Sequence, residues 1–168
     1  EDIEAACDMV IWSGDAGTPI EARRPQDRSF VGNIVQAMTA YAEGKFGAVP
    51  FPLSKTHRIL AIGSDRMMAA VRNARHGVLA PHLNDTHRAI ASINSPMQCM
   101  MKEVCAQCLQ RHVDPKTGRE YFVFSCFNQD QPMDTLDWKN LSDRLRQNTV
   151  QEKISNLWLD TLLANRQV

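Results

Sequence analysis

The sequence predicts an α/β fold in which a parallel layer is followed by a small β-rich segment and a helical tail. Two apolar runs, at 8–14 and 57–64, end in glycine or serine and are typical of buried strands. Each run is followed by a stretch whose apolar residues recur at helical spacing. The order strand, helix, strand, helix favours a parallel sheet covered by helices.

The first helix is predicted to begin near Ser29, which can serve as its N-cap. Its apolar face consists of Phe30, Val31, Ile34, Val35, Met38, Tyr41 and Ala42. The second helix follows the run at 57–64, and Ser64 or Asp65 can cap it. Its apolar face consists of Met67, Val71, Ala74 and Val78. Both helices can therefore cover one sheet.

The second half of the chain has a different pattern. A third strand is predicted within 87–95, and the segments 109–113 and 120–126 flank a turn that contains proline and glycine. Two short strands around such a turn are typical of a β-hairpin. The tail is predicted to be helical, with a helix start at Thr149, because Thr149 and Glu152 have the spacing of a capping box.

Composition excludes some classes of protein. The 168 residues include 19 Lys and Arg and 19 Asp and Glu, so the formal net charge is zero. Proteins that bind nucleic acids usually carry a basic excess, and no nucleic-acid partner is expected. No apolar run approaches the roughly 18 residues of a membrane span, and no membrane partner is expected. Five cysteines and eight methionines favour a cytoplasmic location over a secreted disulfide scaffold.

Four cysteines form the strongest chemical pattern. Cys99, Cys105, Cys108 and Cys126 have the spacing C-x5-C-x2-C-x17-C, with three on one loop and the fourth at the end of a hairpin strand. Four thiolates can hold zinc or an iron–sulfur cluster. A zinc ribbon usually has two CxxC pairs, whereas three ligands on one loop plus a distant fourth approach the plant-type [2Fe–2S] pattern. Zinc, and buried thiols without metal, remain the alternatives. Cys7 has no predicted role and is expected to pack as a small buried residue.

The cysteine segment also carries a family resemblance. SINSPMQCMMKEVCAQCLQ with FVFSCFNQDQP resembles the iron–sulfur domain in the electron-transfer subunit of dihydroorotate dehydrogenase, one of the ferredoxin–NADP reductase-like flavoproteins. It is also similar to reductase modules associated with glutamate synthase. ILAIGSDRMMAAV resembles the strand, turn and helix that lie beside the nicotinamide in that family. SGDAG with SFVGNIVQAM resembles a second nucleotide-binding segment.

The resemblance implies three domains. Residues 1–88 would be the C-terminal half of an NAD(P)-binding domain with a partial parallel (Rossmann-like) layer, 89–135 a β-rich [2Fe–2S] domain, and 136–168 a helical tail. The implied function is electron transfer in an NAD(P)H- and FAD-dependent oxidoreductase, from flavin through the cluster to a partner dehydrogenase or synthase subunit. FAD would lie in a flavin-binding N-terminal region or subunit. The alternative function is a zinc-stabilised regulatory or interaction domain without redox activity.

The resemblance also implies site residues. Cys99, Cys105, Cys108 and Cys126 would hold the cluster. Gly63, Ser64, Asp65 and Asp15 would bind the nucleotide, although capping of a helix explains Ser64 and Asp65 equally well. Arg23 and Arg24 could meet a 2′-phosphate of NADP, or could simply be an exposed loop pair.

Several departures from the family limit what can be carried over. Ile62 stands where the family has cysteine and Ser64 where it has proline, so no catalytic residue is assigned. The first cysteine gap has five residues instead of four. No Gly-x-Gly-x-x-Gly motif and no flavin-binding barrel are visible, which predicts the C-terminal part of a longer flavoprotein that alone binds NAD(P) weakly.

Overall fold

The computed structural model of the protein describes residues 2–93 and 108–164. The chain divides into two compact units, Glu1–Ser92 and Ile93–Val168. Cys99 and Cys105 lie outside the described residues. The elements of the first unit are, in order, α1 (Asp2–Ala6), β1 (Ile11–Gly14), β2 (Arg28–Val31), α2 (Ile34–Ala42), β3 (Arg58–Ile62), α3 (Asp65–His76) and β4 (Arg88–Ser92). Those of the second are β5 (Leu109–Val113), β6 (Glu120–Phe124), β7 (Asp130–Pro132) and α4 (Trp138–Ala164).

Two parallel strand pairs organise the first unit. Strand β1 pairs with β2, and β3 pairs with β4. The helix α3 connects the parallel strands β3 and β4, as is usual for such a pair, whereas β1 and β2 are joined by residues 15–27, which form no helix. The helix α2 connects β2 to β3. The predicted α/β class is confirmed at this level.

The start of the first long helix was predicted wrongly. Ser29 does not cap a helix but lies in β2, where it pairs with Trp12. The helix begins at Ile34, and Asn33 caps it. The Oδ1 of Asn33 accepts a bond from the Gln36 N–H at 3.0 Å, and the Oε1 of Gln36 accepts one from the Asn33 N–H at 2.9 Å. Gly32, at φ +146°, allows the sharp change from strand to helix.

The helix α3 agrees with its prediction at the start and differs at the end. The Ser64 Oγ accepts a hydrogen bond from the Met67 N–H at 3.2 Å, so Ser64 is the N-cap. Val78 does not belong to the buried face: it lies beyond the helix and is 52% exposed. Leu79 is fully buried instead, in a core cluster with Ala74 and Leu83. The chain turns at Gly77, which shifts the buried position by one residue.

Asp27 joins the start of the first unit to β2. Its carboxylate accepts hydrogen bonds from the Arg24 Nε at 2.9 Å, the Arg24 Nη2 at 2.7 Å and the Val10 N–H at 2.9 Å. These donors, Arg24 first, hold the pKa of Asp27 below its usual value of 3.8. The folded protein therefore stabilises the ionised Asp27 carboxylate relative to the unfolded chain.

Replacing Asp27 with asparagine is expected to lower stability most at neutral pH. A carboxylate whose folded pKa is depressed stabilises the fold above its unfolded pKa, and loses that effect as pH falls through the folded value. The gap in urea midpoint between wild type and Asp27→Asn should therefore be widest near pH 7. It should narrow as the pH falls below about 3.8. A gap that stays constant across this range would show that the charge of Asp27 has no such role.

The predicted hairpin of the second unit is confirmed. Strands β5 and β6 are antiparallel, with Leu109 opposite Phe124 and Val113 opposite Glu120. In the turn, the Asp114 Oδ1 accepts bonds from the N–H groups of Lys116 and Thr117. These bonds give the turn the local side-chain support that Asp provides at such positions.

The tail is a single long helix, α4, as its helical pattern predicted. The Oδ1 of Asp137 accepts a hydrogen bond from the Asn140 N–H at 2.9 Å, so Asp137 caps α4. The helix then continues through position 149, and the predicted helix start at Thr149 is wrong. Leu141 is buried, whereas Ile154 and Trp158 are more than 60% exposed. Among the described residues, none of the helices combines the length and apolarity that crossing a membrane requires.

Candidate functional sites

A cleft of about 760 Å³ opens in the first unit at the carboxyl end of β1. It is lined by Ser13, Asp15, Asn33, Ile34, Val35, Gln36, Arg66, Met67, Ala70, Asn73, Ala74 and Val78. These residues come from the end of β1 and the residue that follows it, from the N-cap and first turn of α2, from α3, and from Val78 just beyond α3. Open α/β sheets bind their ligands at the carboxyl ends of the strands. The position of this cleft is therefore typical of a ligand site.

The electrostatics of the cleft favour an anionic or polyhydroxyl ligand. The first turns of α2 and α3 both reach it, and helix N-termini carry a partial positive charge. Asn33 and Gln36 use their oxygens in the capping box, which leaves their NH2 groups as donors. Arg66 supplies a full positive charge and Asp15 an acceptor. Together they can bind phosphate and ribose hydroxyl groups.

Only one of the four predicted nucleotide-binding residues lines the cleft. Asp15 lines the cleft, whereas Gly63, Ser64 and Asp65 are not among its lining residues. Ser64 uses its hydroxyl to cap α3, which is the alternative that the sequence left open. The cleft is lined instead by the next two residues, Arg66 and Met67.

Arg66 was not predicted from the sequence, although a signal was present. An arginine in the first turn of a helix that follows a strand and a glycine turn stands close to any ligand at that strand end. Asn33 and Gln36 were hidden by the wrong start assigned to α2.

The guanidinium group of Arg24 is used in hydrogen bonds within the first unit. Besides its two bonds to the Asp27 carboxylate, its guanidinium donates to the backbone carbonyl groups of Glu4 and Cys7. The possible role of Arg24 at a 2′-phosphate is therefore not supported. Arg23 has a largely exposed side chain, with its Nε 3.7 Å from a carboxylate oxygen of Glu4. Cys7 was expected to be a small buried residue and is exposed.

In the second unit, two of the four predicted metal ligands fall within the described residues. Cys108 is 1% exposed and directly precedes β5. The hairpin register continues so that Cys108 lies opposite Ser125, whose N–H donates to the Cys108 carbonyl at 3.0 Å. Cys126 is the next residue. The hairpin thus brings Cys108 and Cys126, separated by seventeen residues in sequence, to neighbouring positions at one end.

The remaining ligands stay predictions. Among the residues that the structure describes, no three His, Cys, Asp or Glu side chains form a group that could hold a metal ion. The four-cysteine set has two members outside those residues, at positions 99 and 105. The chemistry of the set still fits a soft metal centre, since thiolates select zinc and iron–sulfur clusters.

Comparison with known proteins shows a related fold. No family model matches the sequence. An uncharacterised protein of Rickettsia prowazekii (strain Madrid E), RP006, is 29% identical over 156 residues, which are 89% of this chain and 21% of RP006. Among solved structures, an NADH-dependent reduced ferredoxin–NADP oxidoreductase, studied for flavin-based electron bifurcation, matches with a TM-score of 0.51.

The solved structure is 22% identical to this chain, and the match covers 77% of this chain and 39% of the other. The chain shares its fold with part of a ferredoxin–NADP oxidoreductase. It spans less than half the length of each of these two proteins.

Proposed function

We propose that this chain is the electron-transfer portion of an NAD(P)H- and FAD-dependent oxidoreductase and that it carries a [2Fe–2S] cluster. The observation that carries the proposal is the hairpin register, which brings Cys108 and Cys126 to the same end of β5 and β6. Cys99 and Cys105, which precede β5 in sequence, would complete the ligand set. The fold shared with a ferredoxin–NADP oxidoreductase supports the same conclusion.

The first unit would contribute part of the nucleotide site. Arg66 and the N-terminal turns of α2 and α3 supply positive charge at the cleft, and the Asp15 carboxylate can accept bonds from ribose hydroxyl groups. The amide groups of Asn33 and Gln36 add neutral donors. In this role these residues would bind and orient the nucleotide.

The second unit would hold the cluster in a partly buried setting. Cys108 is buried, and its backbone carbonyl is fixed by hydrogen bonds, so one ligand is held in a rigid part of the hairpin. When bound, the flavin exchanges hydride with NAD(P)H and the cluster carries single electrons, while the protein sets position and potential. The flavin-binding region or subunit and a dehydrogenase or synthase subunit are the proposed partners.

The proposal is tested by asking what reduces the cluster. NADH or NADPH should not bleach the visible absorbance of the anaerobic chain by itself, because hydride must first pass to a flavin. With the flavin-bearing region or subunit added, NADH or NADPH should bleach the visible absorbance of the cluster. Dithionite gives the fully reduced reference. Bleaching by NAD(P)H in the chain alone, without flavin, would contradict this order of electron transfer.

A further inference from the structure

Four polar side chains are buried in the part of the second unit that surrounds the two described cysteines. Gln110, His112, Ser125 and Gln131 are each 5% exposed or less. Burying polar groups is unfavourable unless every donor and acceptor finds a partner. Such groups specify one arrangement of the chain when they are fully hydrogen-bonded. We refer to these four residues as the polar frame.

One half of the polar frame holds the backbone at Cys108. The Cys108 carbonyl accepts the Ser125 N–H at 3.0 Å, the Ser125 Oγ at 3.1 Å and the Gln110 Nε2 at 3.2 Å. The first bond continues the β5–β6 ladder, and the other two come from buried side chains. The backbone of the last cysteine in the CxxC pair is thus held from two directions.

The other half reaches the turn that contains Cys126. The N–H groups of Phe127 and Asn128 both donate to the Phe124 carbonyl, at 3.1 and 2.9 Å. The Gln131 Nε2 donates to the Asn128 carbonyl. A carbonyl only accepts hydrogen bonds, so the amide nitrogen of Gln131 must face Asn128 and its Oε1 must face away.

This orientation assigns the proton on His112. The Gln131 Oε1 lies 2.8 Å from His112 Nε2, which must therefore carry a hydrogen. The other ring nitrogen, Nδ1, lies 2.9 Å from the Thr135 Oγ1 and accepts its hydrogen. Burial lowers the pKa of His112, and the bond to Gln131 opposes that shift in part. A neutral ring with one donor and one acceptor satisfies both partners.

The position of His112 is fixed from its ring face as well. Tyr121 stacks on the imidazole with ring centroids 4.8 Å apart, and its hydroxyl donates to Thr135 Oγ1 at 3.1 Å. The hydrogen-bonded chain therefore runs in one direction, from Tyr121 through Thr135, His112 and Gln131 to the Asn128 carbonyl. It ends two residues beyond Cys126.

We propose that the polar frame holds Cys108 and Cys126 in their metal-binding arrangement before any metal is bound, with His112 as a neutral positioning residue and not a ligand. The inference rests on the proposed function only in taking these cysteines as metal ligands. Groups that orient the ligands of a metal typically change metal affinity by about 10- to 100-fold when they are removed.

The test uses a double variant, His112→Phe with Gln131→Met, in the full chain. Replacing both partners of a buried polar pair with apolar groups of similar shape can leave stability nearly unchanged. The groups left behind keep other partners, because Asn128 is exposed to solvent and the Thr135 Oγ1 can donate to the Pro132 carbonyl at 3.4 Å. The metal-free variant should therefore unfold at the same urea concentration as the wild type. Loaded with Zn²⁺ alone as the probe, it should release metal to a chelator roughly tenfold faster. Equal release rates in a folded double variant would overturn the proposal.

A matched control removes one hydrogen bond from the network but leaves the bonds that reach the turn at Cys126. Tyr121→Phe removes the outermost hydroxyl but leaves the bonds from His112 to Gln131 and from Gln131 to Asn128. Its release rate should equal that of the wild type. Acceleration as large as in the double variant would overturn the proposal, because the effect would then follow from any change in the hairpin core.

A measurement on the metal-free wild type is independent of the variants. The amides of Phe127 and Asn128 should be protected from hydrogen exchange to the same degree as those of the β5–β6 ladder. Unprotected amides beside a protected ladder would show that the frame does not exist before metal binds, whatever the variants do. If the wild type binds no iron but shows this protection, the proposed function fails while the polar frame stands.

Discussion

Serine at Cys108 or at Cys126 is expected to remove most of the iron and sulfide from the anaerobically purified chain. Each substitution exchanges a thiolate ligand for a hydroxyl group, which binds iron and zinc poorly at neutral pH. At Cys108 the replaced side chain is also buried, so solvent cannot readily supply a substitute ligand. Iron and sulfide per chain should fall at least about tenfold in each variant.

Cys7→Ser is the matched control for these substitutions. Cys7 is exposed and belongs to the first unit, and its replacement should leave iron, sulfide and visible spectrum unchanged. Loss of the cluster in Cys7→Ser, together with its retention in Cys126→Ser, would mean that the ligand set is wrong.

Valine at Gly63 is expected to slow flavin reduction by NAD(P)H while leaving the cluster spectrum unchanged. Gly63 has φ +155°, which valine adopts only with strain, and a Cβ there would lie 2.4 Å from the Met67 Cε. Met67 lines the cleft and must shift. If the moved Met67 side chain displaces the bound nicotinamide by about 1 Å, hydride transfer to the flavin should slow by roughly a hundredfold.

The measurement is stopped-flow reduction of flavin in the chain joined to its flavin-bearing region. Gly44→Val is the control, because Gly44 also has a positive φ, +74°, but a Cβ at this position would meet no atom within 4 Å and Gly44 lies outside the cleft. The control should reduce flavin at the wild-type rate. Equal rates for all three proteins would remove the Gly63 turn from the nucleotide site.

How far the sequence predicts this fold depends on how local each signal is. Ser64 was recognised because capping requires one hydroxyl group and one N–H three residues away. The hairpin of β5 and β6 was recognised because its turn lies between the two strands. Strand β2 was missed because four residues carry too little pattern to separate strand from helix, and their pairing with β1 is a non-local contact.

In the candidate sites, too, the features with a local sequence signal could be predicted and those that depend on non-local contacts could not. Asp15 could be proposed from sequence, but the shared cleft depends on the way β1, α2 and α3 pack together. The cysteine spacing predicts a metal centre without the hairpin register. The buried pair of His112 and Gln131 could not be predicted, since residues nineteen apart meet only through the fold and neither belongs to a motif.

The central claim, that the four cysteines hold a [2Fe–2S] cluster, is tested most directly by the visible spectrum of the anaerobically purified wild-type chain with iron, sulfide and zinc quantified. We expect a red-brown protein with about two irons and two sulfides per chain and no stoichiometric zinc. A colourless protein with one zinc per chain would contradict the claim and would favour a zinc-stabilised domain without redox activity.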